Sequence, residues 1–258
     1  DTEFYLRKGF RVVAVEADPV TVAENRARFA EAIAAGRLVI EAAAIHPEAA
    51  TRPEATFWRN RDFSVWGTVD AGFVARNAKL GKGDVEAFTV PTTSVDALAE
   101  RHGVPHYMKV DVEGADLACI EPLAGWRVKP AYVSMESCMD DYAETCREID
   151  LLAAAGYRRF RAEPMAGMHR RRLRTTDREG RAFEWRFARG ASGPFGEDLS
   201  AAGWRDAEGV KRAYRTIYLG YALAGQGTPW LWRRLVSRVA RLTIGRPWPG
   251  WHDTHAAL

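Results

Sequence analysis

From residue 1 to about 163, short β-branched runs alternate with stretches whose apolar residues fall at helical spacing. This alternation constrains the fold more than any other feature. Strands that alternate with helices pair in parallel through crossovers, and such a sheet is covered on both faces. The run RVVAV at 11–15 is the first strand, ended by Glu16. Asp18 then Pro19 reads as the N-cap and first position of a helix that stops near Gly36. Residues 2–8 read as a preceding helix closed by Gly9. Further strands are expected at 37–46, 55–59, in KGDVEAFTV up to Pro91, before Asp111, at 130–137 and at 157–163. Between them, helices are expected over 94–102, with Thr93 as cap, over 115–126 and over 140–157.

An acid directly after a strand of this kind is placed to take the hydroxyls of a nucleotide ribose. In doubly wound folds it follows a glycine-rich turn by about 20 residues. Counting back from Glu16 passes residue 1, so that turn and the strand before it are expected upstream of Asp1. The competing reading of Glu16 is an ordinary surface acid at a strand end. Asp111 and Glu113 of KVDVEG and Glu136 of YVSME also fall at the carboxyl ends of strands, where ligands of open parallel sheets bind. Like charges gathered there raise one another's pKa. Four acids at one register therefore favour a ligand site over four solvated side chains. Asp111 and Glu113 are two apart and share a face if the strand continues, and Gly114 permits the turn that follows. Lys109 is in register with both, so an internal ion pair is the bland alternative.

The composition excludes several classes. A net charge of +3 over 258 residues does not mark a nucleic-acid binder. Cys119, Cys138 and Cys146 have no metal-type spacing, which suits a reduced, cytoplasmic protein. No apolar run is long enough to span a bilayer. After residue 163 the pattern changes to basic, then glycine- and aromatic-rich sequence, followed by helical stretches near 207–223 and 230–242. Residues 164–258 read as an elaboration packed on the 1–163 core, returning a final strand near 251–257. In WLWRRLVSRVARL, Leu231, Leu235, Val239 and Leu242 share a helix face among arginines. Such a helix lies on a membrane surface or docks by its apolar face, and docking is the commoner outcome.

The segments FYLRKGFRVVAVEADP, VPTTSVDALAERHGVPHYMKVDVEGAD and PAYVSMES resemble the FkbM family of S-adenosylmethionine-dependent methyltransferases. The resemblance implies a class I methyltransferase-like, doubly wound α/β sheet, here lacking its first strand and glycine loop. It implies transfer of a methyl group from S-adenosylmethionine to a hydroxyl of a small-molecule sugar, polyketide or lipid-like acceptor. Carried over by position, Glu16 holds the ribose hydroxyls with Ala17 and Asp18 beside it. Thr2 lies just after the expected loop. Asp111 and Glu113 line the reaction edge, with Asp111 the first candidate for a general base. Glu136 is placed on the acceptor side. A divalent metal between Asp111 and Glu113 is allowed but not indicated. A chain beginning at Asp1 is expected to bind the cofactor weakly and to be inactive alone. Asn60, Ser64, Trp66 and Thr68 lie in a polar loop able to close over the site, and His46 and His106 are expected to be structural or exposed. The rival readings are a nicotinamide-dependent oxidoreductase, which also places an acid after its second strand, and a non-catalytic binding module on the same scaffold.

Overall fold

The computed structural model describes residues 1–61, 67–79, 84–112, 114–138, 141–224, 228–244 and 250–258. Helix α1 (Thr2–Arg7) leads into β1 (Val12–Glu16), and Asp18 caps α2 (Pro19–Arg28) through a bond from the Val20 amide at 2.9 Å. The helix expected to run to Gly36 breaks at Phe29, whose ψ of 21° is not helical. It resumes as α3 (Ala30–Ala34). The single strand expected at 37–46 is likewise two, β2 (Leu38–Ala42) and β3 (Ala44–Ile45). The two halves serve different partners: β2 pairs parallel with β1, and β3 pairs parallel with β5 (Val85–Thr93).

Strand β5 runs through Pro91 rather than closing there. Residues 85–91 pair antiparallel with β4 (Glu54–Asn60), whereas Thr92 and Thr93 pair with β3. Pro91 sits at this handover, an end of the pairing where a missing N–H is tolerated. Because Thr93 remains in the strand, Ser94 and not Thr93 caps α5 (Val95–His102), accepting from the Ala97 amide at 3.1 Å. Asp96 takes the Trp126 indole N–H at 2.6 Å. Helix α4 (Ala71–Lys79) precedes β5.

The second half is built on β6 (Tyr107–Val110), β7 (Tyr132–Glu136), β8 (Arg159–Pro164) and β11 (His252–Ala257), in the order β6-β7-β11-β8. Strand β6 is parallel to β7, and β11 is antiparallel to both of its neighbours. Helix α6 (Asp116–Ile120) tightens to a 3-10 turn at Pro122. Helix α7 (Tyr142–Ala154) is capped by Asp141. The main core lies between this sheet, α6, α7 and α8 (Ala207–Ala224), with Leu123, Val133, Met135, Ile149, Leu152, Phe160 and Val210 fully buried. An aromatic cluster of Phe4, Phe187 and Phe195 joins α1 to the region that carries the hairpin of β9 (Leu173–Thr176) and β10 (Ala182–Trp185). Tyr107 of β6 stacks on Phe195 at 3.9 Å. Helix α9 (Trp230–Ile244) follows α8.

The central strand β11 is polar in sequence and buried throughout. Its backbone bonds to strands on both sides, so burying it costs no orphaned peptide groups. Its side chains fare less evenly. Thr254 bonds the Tyr214 hydroxyl at 2.7 Å, but among the described residues neither ring nitrogen of His255 has a partner. Burial, with Arg161 and Lys109 nearby, drives its pKa down to about 3. A neutral buried imidazole contributes stability above its unfolded pKa of about 6.5 that is lost as pH falls toward 3. His255→Leu should therefore flatten the acid limb. Urea denaturation at pH 7 and 5 should show wild type losing about 1–2 kcal/mol more than the variant.

Candidate functional site

A cleft of about 320 Å³ opens at the carboxyl ends of β1, β3 and β6. Its walls include Glu16, Ala17, Ala44, Phe57, Thr68 and Asp111. Two acids almost a hundred positions apart in the sequence, one the last residue of β1 and the other the residue after β6, thus meet across one space.

Glu16 is half-buried, and its Oε1 accepts the Asp18 amide at 2.8 Å. Burial raises its pKa, opposed by the backbone bonds it accepts. Asp18 is spent structurally. It caps α2, accepts the Thr21 hydroxyl at 3.3 Å and pairs with Arg59 at 3.2 Å, all while buried. Ala17 packs with Ala44, Phe57 and Val90 to make an apolar wall. Gly67 is held against this wall: a Cβ there would lie 2.3 Å from the Phe57 ring. Thr68 is buried, bridges to Trp58 in β4 and donates no backbone group to solvent on that side, since its N–H and C=O both bond Trp58.

Asp111, a wall of the cleft, pairs with Lys109, so the ion pair foreseen as the bland alternative is present. Burial works against the Lys109 ammonium, but Asp111, Asp253 and Tyr107 outweigh it and raise its pKa. The turn after Asp111 is organised by Asp116, which accepts the Val112 and Gly114 amides at 3.5 and 3.3 Å. Gly114 has φ +100°, and a Cβ on it would press on the Asp70 carboxylate at 3.2 Å. Any other residue at 114 would strain this turn. Glu113 and Ser64 lie outside the described residues, as does Trp66.

A second group of ionisable residues lies along the same sheet edge. Asp253 of β11 is opposite Glu136 of β7. Asp253 is buried, and burial, with Glu136 and Asp111 nearby, pushes its pKa up to about 8 against the pull of Lys109. Glu136 is exposed as a residue, yet surrounding protein desolvates its carboxyl. With Asp111 close, its pKa rises to about 7. Lys109 therefore serves Asp111, Glu136 and Asp253 together. Asp253 went unnoticed in the sequence because its position opposite Glu136 is a matter of strand register, and GWHDTHA carries no local sign of it.

The remaining candidates stand apart from the cleft. Asn60 ends β4, buried, and is not among the cleft walls. Thr2 opens α1, whose preceding Asp1 carboxylate accepts the Ser192 amide at 3.1 Å. His46 accepts the Glu48 amide at 3.1 Å in a turn, and His106 is exposed and stacks on Phe10. Among the described residues no group of three or more His, Cys, Asp or Glu is arranged to hold a metal ion.

The cleft thus sets an acid-ended strand and a small apolar wall against a second acid. Residues 1–159 match the family model of the methyltransferase FkbM domain, and the chain belongs to that family. No curated protein and no solved structure gives a significant match. The matched region holds every wall of the cleft, whereas Asp253 lies beyond it.

The raised carboxyls have a measurable consequence. A carboxyl whose folded pKa is raised contributes stability below its unfolded pKa of about 4 that is lost as pH climbs through the folded value. Asp253→Asn should match wild type near pH 4 and exceed it by on the order of 1–3 kcal/mol at pH 8. Denaturation at the two pH values checks this, and a difference that does not grow with pH would remove Asp253 from the buried set.

Proposed function

We propose that the protein is an S-adenosylmethionine-dependent O-methyltransferase acting on a hydroxyl of a small sugar, polyketide or lipid-like acceptor. The observation that carries this reading is the meeting of Glu16 and Asp111 in one cleft of a chain that belongs to the FkbM family. We propose further that β2-β1 and β6-β7-β11-β8 are parts of one doubly wound sheet, which would account for the ends of β1 and β6 sharing that cleft.

The residues fit the cofactor. A half-buried carboxylate at a strand end suits a ribose diol, and the cleft wall of Ala17, Ala44 and Phe57 suits an adenine face. The cleft volume falls within the range of small-ligand sites. When bound, the cofactor supplies an electrophilic methyl group on a sulfonium cation. Glu16 accepts hydrogen bonds from the diol, and the Asp111–Lys109 pair sits where an acceptor hydroxyl would be aligned and lose its proton. In-line transfer gains most from such alignment, and a base at the hydroxyl adds to it. Glu136, with a pKa near neutrality, is the next group able to relay that proton.

Two substitutions in the full-length protein test this. Glu16→Gln should weaken S-adenosylmethionine binding, measured calorimetrically, by about ten- to a hundredfold, the worth of a charge-assisted hydrogen bond. Unchanged affinity would sink the ribose assignment. A preference for a nicotinamide dinucleotide over S-adenosylmethionine would favour the oxidoreductase instead. Asp111→Asn should keep cofactor affinity and lose methyl transfer by about 10²–10⁴-fold. Loss of melting temperature with turnover intact would make the Lys109 pair structural only. Turnover that survives EDTA separates a metal-free base from a metal-dependent one.

A further inference from the structure

Helix α9 does not bury its apolar stripe. Among its described side chains, Val236 and Ser237 are half-buried and Ala240 is buried, and the rest are exposed. Leu231, Leu235, Val239 and Leu242 form one stripe at helical spacing and are 65, 53, 50 and 82% exposed. Trp230 and Trp232 stand exposed at the start of the helix. Leu219 and Leu223 of α8, one turn apart, are exposed as well. Trp232 donates its indole N–H to the Leu223 carbonyl at 2.9 Å, which joins the two apolar rows at the α8–α9 corner. Single exposed leucines need no explanation, but a row of this size does.

The charge of α9 decides what covers it. Its sequence holds Arg233, Arg234, Arg238 and Arg241 and no acid. Arg233, Arg234 and Arg238 are exposed, and the Arg234 guanidinium lies over the Trp230 ring at 5.2 Å. A second copy meeting this face by two-fold symmetry would set arginine rows against one another without a counter-charge on either helix. An anionic lipid surface complements the face: leucines enter the acyl boundary, arginines meet headgroup phosphates, and tryptophans sit at the interface. Among the described residues no helix is long and apolar enough to cross a membrane, so α9 would lie in the plane. Its position is also specific. Tyr221 of α8 donates to the Gly250 carbonyl at 2.9 Å and contacts His252 at 3.2 Å, and the next residue, Asp253, is opposite Glu136.

We propose that α9, with the exposed leucines of α8, is an interfacial helix that docks the protein on anionic phospholipid, holding the carboxylate edge of the sheet near the bilayer. The docking is read without cofactor or acceptor, so its failure and that of the methyl-transfer reading are separate. The full-length protein should sediment with phosphatidylcholine vesicles containing about one-third phosphatidylglycerol, and much less with phosphatidylcholine alone. Raised salt should weaken the binding. The double variant L231Q/L235Q and the triple variant R233Q/R234Q/R238Q should each lose at least about tenfold in vesicle affinity with unchanged circular dichroism. Should either misfold, Leu242→Gln, at the most exposed position, tests the same face. Absence of sedimentation with anionic vesicles, or affinity indifferent to all these variants, overturns the proposal. So does a concentration-dependent dimer by light scattering that L231Q/L235Q disrupts while vesicles go unbound.

Discussion

The insertion of β11 between β7 and β8 is the constraint on which the second half of the molecule rests. Strands β7 and β8 are separated by α7 in sequence, and neither pairs with the other. Strand β11, running the opposite way, joins them. Helix α8 is held to this sheet at its start, where Tyr221 meets Gly250 and His252, and by the Tyr214–Thr254 bond further along. A strand this polar survives in a buried place because both of its edges are paired. Its alanines, Ala256 and Ala257, are fully buried beside Phe160 and Val133 and leave room for close approach of the layers.

That insertion also sets the electrostatics of the sheet edge. Register places Asp253 beside Glu136, one strand away from Lys109 and Asp111. Desolvation raises both carboxyls, and the Lys109 ammonium restrains the rise. The edge can thus hold a proton near neutral pH next to a cleft that carries the ionisable Glu16 and Asp111. Catalytic groups tuned by burial and neighbouring charge are how a site exchanges protons at working pH. The same burial leaves His255 neutral on the strand's interior, so one strand carries groups displaced in opposite senses by one cause.

The two sides of the α8–α9 pair divide along chemistry. Tyr214, Tyr218 and Tyr221 of α8 turn toward the sheet, α7 and one another, bonding Thr254, Thr145 and His252. The described leucines and arginines of the pair turn outward. An amphipathic pattern read along a helix says that one face is apolar; it does not say whether protein or lipid covers that face.

Local pattern was enough for much of the architecture. The β-branched run ending at Glu16, the Asp18-Pro19 cap, the motif KVDVEGAD and the final strand near 251–257 could all be read directly, because propensity, capping and strand-end acids act within a few residues. Pattern also named Glu16 and Asp111, which the structure brings to one cleft. It could not give the break at Ala43, the passage of β5 through Pro91, or Ser94 as the cap in place of Thr93, since each depends on which strand lies alongside. It expected α9 to dock by its leucines, and the structure leaves them exposed. The sequence by itself determined an alternating α/β chain of the FkbM kind with acids at its strand ends. Tertiary structure alone decided that Asp253 faces Glu136, that Lys109 serves three carboxyls, and that Ala44 and Phe57 wall the cleft. Those are contacts between residues far apart in the chain, fixed by register and packing, and no local signal encodes them.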